Sequence, residues 1–109
     1  MSIRLPPAIE RYVKAENSGD VASLSECFAQ TATVRDEGRT HRGLAAIQRW
    51  KAETAKKYKH TMEPLAVVDE GGKTIVTNRL AGNFPGSPIE VRFAFQLEGD
   101  RITSLEIGG

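Results

Sequence analysis

The residues that decide the fold are Phe28 to Gly38, which read Phe-Ala-Gln-Thr-Ala-Thr-Val-Arg-Asp-Glu-Gly. We expect an amphipathic helix to end at Phe28, a short polar link to follow, and a strand to cover Ala32–Asp36. Side chains alternate between the two faces of a strand, so Val34 and Asp36 share a face. If Val34 points into an apolar interior, the Asp36 carboxylate points there too. An acid directed into an apolar concavity is the feature of this sequence best suited to chemistry.

Two short helices are expected before this stretch, packed as a hairpin. The first helix begins near Pro7, because an N–H in the first turn of a helix makes no helical hydrogen bond and a proline is tolerated there. Its apolar residues, Tyr12 among them, recur at helical spacing. Gly19 suits its end, and Asp20 suits the N-cap of the second helix. The apolar faces of both helices would therefore point to one shared core.

After the central strand, the hydrophobic period changes from that of a helix to that of a strand. We expect a turn at Glu37–Arg39, a brief return strand at Thr40–His41, and then a longer helix that carries Trp50 and ends near Tyr58. Pro64 indicates an edge strand or a bulge. Four more strands are expected at Thr61–Asp69, Lys73–Gly82, Pro88–Glu98 and Arg101–Ile107. Helices followed by an antiparallel meander predict an α+β protein, with one domain over residues 1–109 and N-terminal helices packed on a strongly curved, mostly antiparallel sheet.

Composition and charge exclude several classes of function. The 109 residues are 39% apolar and 27% charged, which is ordinary for a globular protein. The net charge of +1 does not give the electrostatic footprint of a nucleic-acid binder, so we expect no nucleic-acid partner. No segment approaches the ~20 apolar residues of a membrane span, and no basic amphipathic helix indicates a membrane surface.

The cysteine and histidine content points to a protein without metal or cofactor. Cys27 is the only cysteine, which excludes an intrachain disulfide and favours a cytoplasmic location. The only histidines, His41 and His60, are expected at the surface, and their spacing fits no metal site. We therefore expect no metal and no cofactor.

Four strings of residues occur in a distinctive order: Phe28-Ala29 before Ala32–Asp36, Gly43–Ile47 with Trp50, Gly82–Pro88, and Gly99–Ile102. In this order they resemble the nuclear transport factor 2-like superfamily in its SnoaL-like branch, over nearly the whole chain. The resemblance implies a cone-shaped half-barrel of the cystatin-like type, with an apolar pocket between the helices and the bent sheet. It also implies a small apolar molecule in that pocket and a homodimer formed through the outer face of the sheet.

The apolar wall of such a pocket is expected to come from residues at regular helix and strand spacing: Phe28, Val34, Trp50, Phe84, Phe93 and Phe95. Residues with this spacing also build ordinary cores, so the same side chains would serve both purposes.

The N-terminal third is similar to ketosteroid isomerase, from Arg11–Tyr12 through Asp36, without a gap. This resemblance implies that Tyr12 is the oxyanion-hole tyrosine and that Asp36 is the base that moves the proton. The second acid of that site would fall at position 92 or 93, where this chain has Arg92 and Phe93. The second proton donor is therefore expected to be missing.

Three interpretations remain open at this point. The protein is an isomerase or cyclase acting on a small apolar carbonyl compound, with Asp36 as base and Tyr12 as donor. Alternatively, it binds such a ligand without turnover, and Asp36 is a structural carboxylate bonded to backbone N–H groups. As a third possibility, it is an interaction domain that pairs through its sheet.

Overall fold

A computed structural model describes residues 4–36, 38–57 and 60–108, and the predicted α+β architecture is confirmed. The elements are, in chain order, α1 (Pro7–Ser18), α2 (Val21–Ser25), β1 (Phe28–Asp36), β2 (Arg39–Arg42), α3 (Leu44–Lys57), β3 (His60–Glu70), β4 (Lys73–Gly82), β5 (Ile89–Glu98) and β6 (Arg101–Gly108). The helices pack on a curved, unclosed sheet. Within the described ranges, none of the helices has the length and apolar character needed to cross a membrane.

The sheet has the strand order β2-β1-β6-β5-β4-β3. Every neighbouring pair is antiparallel except β1 and β6, which are parallel. The parallel pair joins the N-terminal part of the chain to the C-terminal meander. As a result β1 lies inside the sheet, and its last residue, Asp36, pairs with Arg39 of β2 just beyond the end of the β1–β6 pairing at Arg35 and Glu106.

The helical hairpin forms as predicted from its capping residues. α1 begins at Pro7 and ends at Ser18, and Gly19 caps it with a φ of 72°, a left-handed conformation that favours glycine. The Asp20 carboxylate accepts a hydrogen bond from the Ser23 backbone N–H at 3.1 Å and so caps α2.

The boundary between α2 and β1 differs from the prediction. α2 ends at Ser25, and Phe28 is the first residue of β1 rather than the last residue of a helix. The cause lies far along the chain: the Ile102 N–H donates to the Cys27 carbonyl at 2.8 Å, and Phe28 pairs with Ile102 of β6. The register with β6 shifts between Phe28 and Thr33, and regular pairing resumes from Thr33, so the predicted alternation of Val34 and Asp36 is unaffected.

The later strands follow the predicted ranges to within one residue at either end. β3 is an edge strand, and its register with β4 shifts between Pro64 and Ala66, so Pro64 marks both an edge and an irregularity. The turn was predicted at Glu37–Arg39; Glu37 lies outside the described residues, and Arg39 is already the first residue of β2, which contains the predicted return strand at Thr40–His41. The helix end predicted at Tyr58 also lies outside the described residues.

The core lies between α1 and the inner face of the sheet. Tyr12 of α1 packs edge-on against Phe28 and Phe95, with ring centroids 5.9 and 5.4 Å apart. All three side chains are fully buried. This packing fixes α1 over the centre of the sheet and leaves a concavity beside it, towards α3.

Candidate functional site

A cavity of about 470 Å³ opens between α1, α3 and the inner face of the sheet. Its volume falls within the usual range of small-molecule sites. Most of its wall is apolar, and its polar side chains are Tyr12, Glu16, Asp36, Lys51, Thr54 and His60. A mainly apolar space with a few polar groups directed into it suits a small hydrophobic molecule that carries one or two polar atoms.

The predicted wall residues divide into two groups. Trp50, Phe84 and Phe93 line the cavity. The other three do not line it: Phe28, Val34 and Phe95 lie in the core beside it and are each 0% exposed. β1 runs out of the core towards the cavity, so Val34 is buried in the core and only Asp36, at the end of the strand, reaches the cavity.

Tyr12 presents a buried hydroxyl that no described protein group satisfies. Its side chain is 0% exposed, and its Oη has no hydrogen-bond partner among the residues described. Burial, together with the negative charges of Glu16 and Asp36, raises the pKa of Tyr12 well above its ordinary value of 10.0. The Glu16 carboxylate acts on the pKa of this hydroxyl mainly through its charge and less through hydrogen bonding, and the hydroxyl forms no hydrogen bond of good geometry with any described group. Tyr12 is therefore a protonated donor that the described residues leave unsatisfied.

Asp36 is held in place by an indole. The Trp50 Nε1–H donates to Asp36 Oδ2 at 3.0 Å. His41 stacks on the Trp50 ring, with centroids 5.8 Å apart and planes 28° apart. The Thr54 hydroxyl donates to the Trp50 carbonyl at 2.8 Å, which anchors the same turn of α3. The carboxylate at the end of β1 is thus oriented by side chains from β2 and α3.

A second group of charged and titratable side chains, Glu16, Lys51 and His60, lies near Trp50. The Lys51 ammonium donates to Glu16 Oε2 at 2.7 Å, and both side chains are only 6% exposed. His60 Nε2 lies 3.9 Å from the same carboxylate oxygen. Burial alone would raise the pKa of Glu16, but hydrogen bonding and positive charge from His60 and Lys51 outweigh it and lower that pKa. Lys51 also lies 4.4 Å from the centre of the Trp50 ring, which connects this group to Asp36.

The expectation that both histidines are at the surface was wrong. The His60 side chain is 14% exposed and lines the cavity, because β3 begins beside Glu16. His41 is half-buried against Trp50.

Sequence reasoning also missed Glu16 and Lys51. Glu16 follows Tyr12 by four residues, so the sequence places its carboxylate on the same apolar face of α1. A charged residue on that face could have been recognised as a candidate site residue. Lys51 gave no such signal, since its partner is 35 residues away. Within the described residues, no group of three or more His, Cys, Asp or Glu side chains has the arrangement to hold a metal ion.

The unpartnered hydroxyl gives a direct prediction for the Tyr12→Phe variant. Because the hydroxyl is buried without an acceptor, its removal relieves a desolvation cost and keeps the ring packing. We expect the free energy of unfolding, measured in urea, to stay the same or to rise by about 1 kcal/mol. A loss of about 1 kcal/mol or more would mean that the hydroxyl has a structural partner.

The Glu16 carboxylate gives a prediction for stability in acid. Its pKa in the folded state is below the ordinary value of 4.5, so the unfolded state binds more protons and stability falls as the pH drops below that value. The Glu16→Gln variant is expected to lose less unfolding free energy than the wild type between about pH 5 and about pH 3. Glu63→Gln, on an exposed position of β3, removes a carboxylate away from the cavity and serves as the control. Parallel pH profiles for wild type and Glu16→Gln would contradict this assignment.

Comparison with known proteins identifies the family. The sequence profile of the SnoaL-like domain matches residues 9–105. The chain belongs to the SnoaL-like family. This places it in the nuclear transport factor 2-like superfamily, as the sequence resemblance predicted. No functionally curated protein matches it significantly.

Solved structures share the fold of this SnoaL-like protein. A proposed polyketide cyclase from Sinorhizobium meliloti is 39% identical, with a TM-score of 0.89 over 94% of both chains. A protein from Catenulispora acidiphila with a ketosteroid isomerase-like fold, solved with trimethylamine, is 20% identical, with a TM-score of 0.84 over 97% of this chain and 87% of that one. The epoxide hydrolase/cyclase-like enzyme SalBIII, which acts in pyran ring formation in salinomycin, is 21% identical, with a TM-score of 0.79 over 93% and 86%. The last two show the likeness of fold alone.

Proposed function

We propose that this SnoaL-like protein is an enzyme that moves a proton at a carbon next to a carbonyl group, as an isomerase or cyclase does, on a small hydrophobic compound. The observation that carries the proposal is the buried, unpartnered Tyr12 hydroxyl in the same cavity as the Asp36 carboxylate. A donor without an acceptor and a base held by an indole are the two groups that enolisation needs.

Each residue has a defined role in this reaction. Asp36 takes a proton from the carbon next to the carbonyl, and the electron pair of the broken C–H bond moves into a new C=C bond. The carbonyl oxygen gains negative charge and accepts a hydrogen bond from the Tyr12 hydroxyl. Trp50 keeps the carboxylate in position. The enolate then takes the proton back from Asp36 at the same carbon, which is exchange, or at another carbon, which is isomerisation. Alternatively, its carbon attacks a second carbonyl carbon, the electron pair of that C=O bond moves to its oxygen, and this oxygen takes the proton from Asp36 as the ring closes.

A second candidate is binding of the same ligand without turnover. It is favoured by β5, which provides no second acid: Phe93 lines the cavity as a phenyl ring and Arg92 is exposed. Stabilisation of an enolate would then depend on a single hydroxyl. The Sinorhizobium relative is a proposed polyketide cyclase, and this favours catalysis over binding without turnover.

Hydrogen exchange at carbon separates the two candidates. A panel of apolar ketones and lactones, including phenylcyclohexanone, is incubated with the protein in deuterium oxide buffer, and loss of the hydrogens next to the carbonyl is followed by NMR. We expect the wild type to exceed the buffer rate and Tyr12→Phe to be slower by about 10²-fold. Binding without exchange would support the binding module, and the absence of both would overturn the proposal.

A further inference from the structure

His60 lies in a part of the cavity wall that the proposed reaction leaves unused. It is the first residue of β3, and Met62, on the same face of that strand, also lines the cavity. The His60 side chain is only 14% exposed. An imidazole has two ring nitrogens that donate or accept hydrogen bonds, so at this position it can bind a polar atom of a ligand.

The histidine–carboxylate gap is the space between His60 Nε2 and Glu16 Oε2, which are 3.9 Å apart. This distance is longer than a hydrogen bond of good length. The short contacts with Glu16 come instead from the Lys51 ammonium, which lies 2.7 Å from Oε2 and also contacts Oε1. A carboxylate oxygen accepts more than one hydrogen bond, so Oε2 can accept a second donor beside Lys51. We assign the ring proton of His60 to Nε2, because a lone pair facing the carboxylate would be repelled.

The chemical group that suits this gap is one that accepts from Nε2–H and donates to Oε2. A hydroxyl group does both with one oxygen atom. An oxygen placed about 2.8 Å from each atom, the usual length of such a hydrogen bond, bridges the 3.9 Å between them. A carbonyl oxygen would satisfy Nε2–H but would turn its lone pairs towards the negative charge of Glu16. The gap therefore favours a hydroxyl over a carbonyl.

The same carboxylate also lies beside the Tyr12 hydroxyl. Glu16 follows Tyr12 by one turn of α1 and acts on the pKa of that hydroxyl through its charge and, less, through hydrogen bonding. The Tyr12 hydroxyl and the histidine–carboxylate gap are therefore neighbours along one wall of the cavity. A ligand whose carbonyl oxygen accepts from Tyr12 reaches the gap with a hydroxyl on a nearby carbon, as in a β-hydroxy ketone.

We propose that the histidine–carboxylate gap binds a hydroxyl group close to the carbonyl of the ligand, so that the compounds this site recognises are β-hydroxy carbonyl compounds. The inference rests on the proposed function and favours its ring-closing form, since attack of an enolate carbon on a second carbonyl carbon produces such a compound. The oxygen of the second carbonyl accepts from His60 while the ring closes. Once it has taken its proton from Asp36, it also donates to Glu16.

A matched pair of ketones tests this: cyclohexanone with a benzyl group on the carbon next to the carbonyl, and its analogue with one hydroxyl on the benzyl carbon. Binding is measured in the Asp36→Asn variant, in which the analogue is not turned over. We expect the hydroxy ketone to bind about tenfold more tightly than the benzyl ketone. In Asp36→Asn/His60→Leu this advantage should disappear, while the affinity for the benzyl ketone is retained. Thr61→Val in the same background changes an exposed residue on the opposite face of β3 and should keep the difference.

The NMR signals of the histidine rings report the contact without a substitution at His60. The chain has two histidines, and His41 is not among the described residues that line the cavity, so its ring is an internal reference. We expect the hydroxy ketone to shift the Nε2 signal of His60 much further than the benzyl ketone does. This measurement decides the question even if His60→Leu fails to fold.

The outcomes separate this inference from the function on which it rests. Equal affinity for the two ketones, with hydrogen exchange still catalysed by the wild type, would overturn the role of the gap and leave the proposed function standing. A difference that survived in the His60→Leu variant would overturn that role too. So would a His60 signal that moved with neither ketone or equally with both, because the gap would then hold a structural water alone. If neither ketone bound and no member of the panel exchanged, the proposed function itself would fail.

Discussion

The Asp36→Asn variant is expected to lose about 10²- to 10⁴-fold of the ketone exchange rate, the usual contribution of a general base. Asparagine has the same shape as aspartate, and its amide oxygen can still accept the hydrogen bond that Trp50 donates to Asp36 Oδ2 at 3.0 Å. The fold and the cavity are therefore retained. The amide does not take up a proton at neutral pH, so the first step of the reaction is lost while the ligand still binds.

The matched control for this substitution is Asp100→Asn. Asp100 is exposed in the turn between β5 and β6 and does not line the cavity. Exchange rates and ketone affinities are measured for both variants by NMR, together with the urea midpoint of each. If Asp36→Asn exchanged as fast as the wild type with an unchanged urea midpoint, Asp36 would not be the base.

Removal of the buried cation should produce the largest loss of stability. Lys51→Met replaces the ammonium with an apolar group of similar length and leaves the Glu16 carboxylate buried, with His60 as its remaining partner in the cluster. Removal of one partner of a buried ion pair typically lowers the free energy of unfolding by about 3–5 kcal/mol, because the remaining charge is left uncompensated. We expect a loss of this size in the free energy of unfolding at neutral pH, measured in urea.

Two further variants show whether burial is the cause. The double variant Glu16→Gln/Lys51→Met removes both charges and should recover most of the loss. Arg35 and Glu106 form a surface ion pair at 3.8 Å, with side chains 65% and 58% exposed, so Arg35→Met should cost at most about 1 kcal/mol. A loss for Lys51→Met no larger than that for Arg35→Met would contradict a desolvated pair.

The parts of the fold that depend on local signals were predictable from the sequence. Gly19 and Asp20 mark the end of one helix and the start of the next because each acts on the backbone beside it. The edge position of β3 follows from Pro64 for the same reason. The inward direction of Asp36 was predictable because side chains alternate along a strand, which places Asp36 on the same face as Val34. This relation depends only on neighbouring residues.

The parts that depend on distant partners were not predictable in this way. Phe28 belongs to β1 because Ile102 pairs with it from β6, and nothing near Phe28 indicates that partner. Glu16 meets Lys51 and His60 only when α1, α3 and β3 come together. The division of the apolar residues between core and cavity likewise depends on where α3 lies over the sheet.

The most direct test of the shared site is a crystal structure of the Asp36→Asn variant with phenylcyclohexanone bound, since this variant should hold the ketone without turnover. We predict that the ketone oxygen lies within about 2.7 Å of Tyr12 Oη, the usual distance for a hydrogen bond between two oxygens. We also predict that the carbon next to the carbonyl faces residue 36. A ketone bound in the cavity with its oxygen directed away from Tyr12 would contradict the shared site of Tyr12 and Asp36.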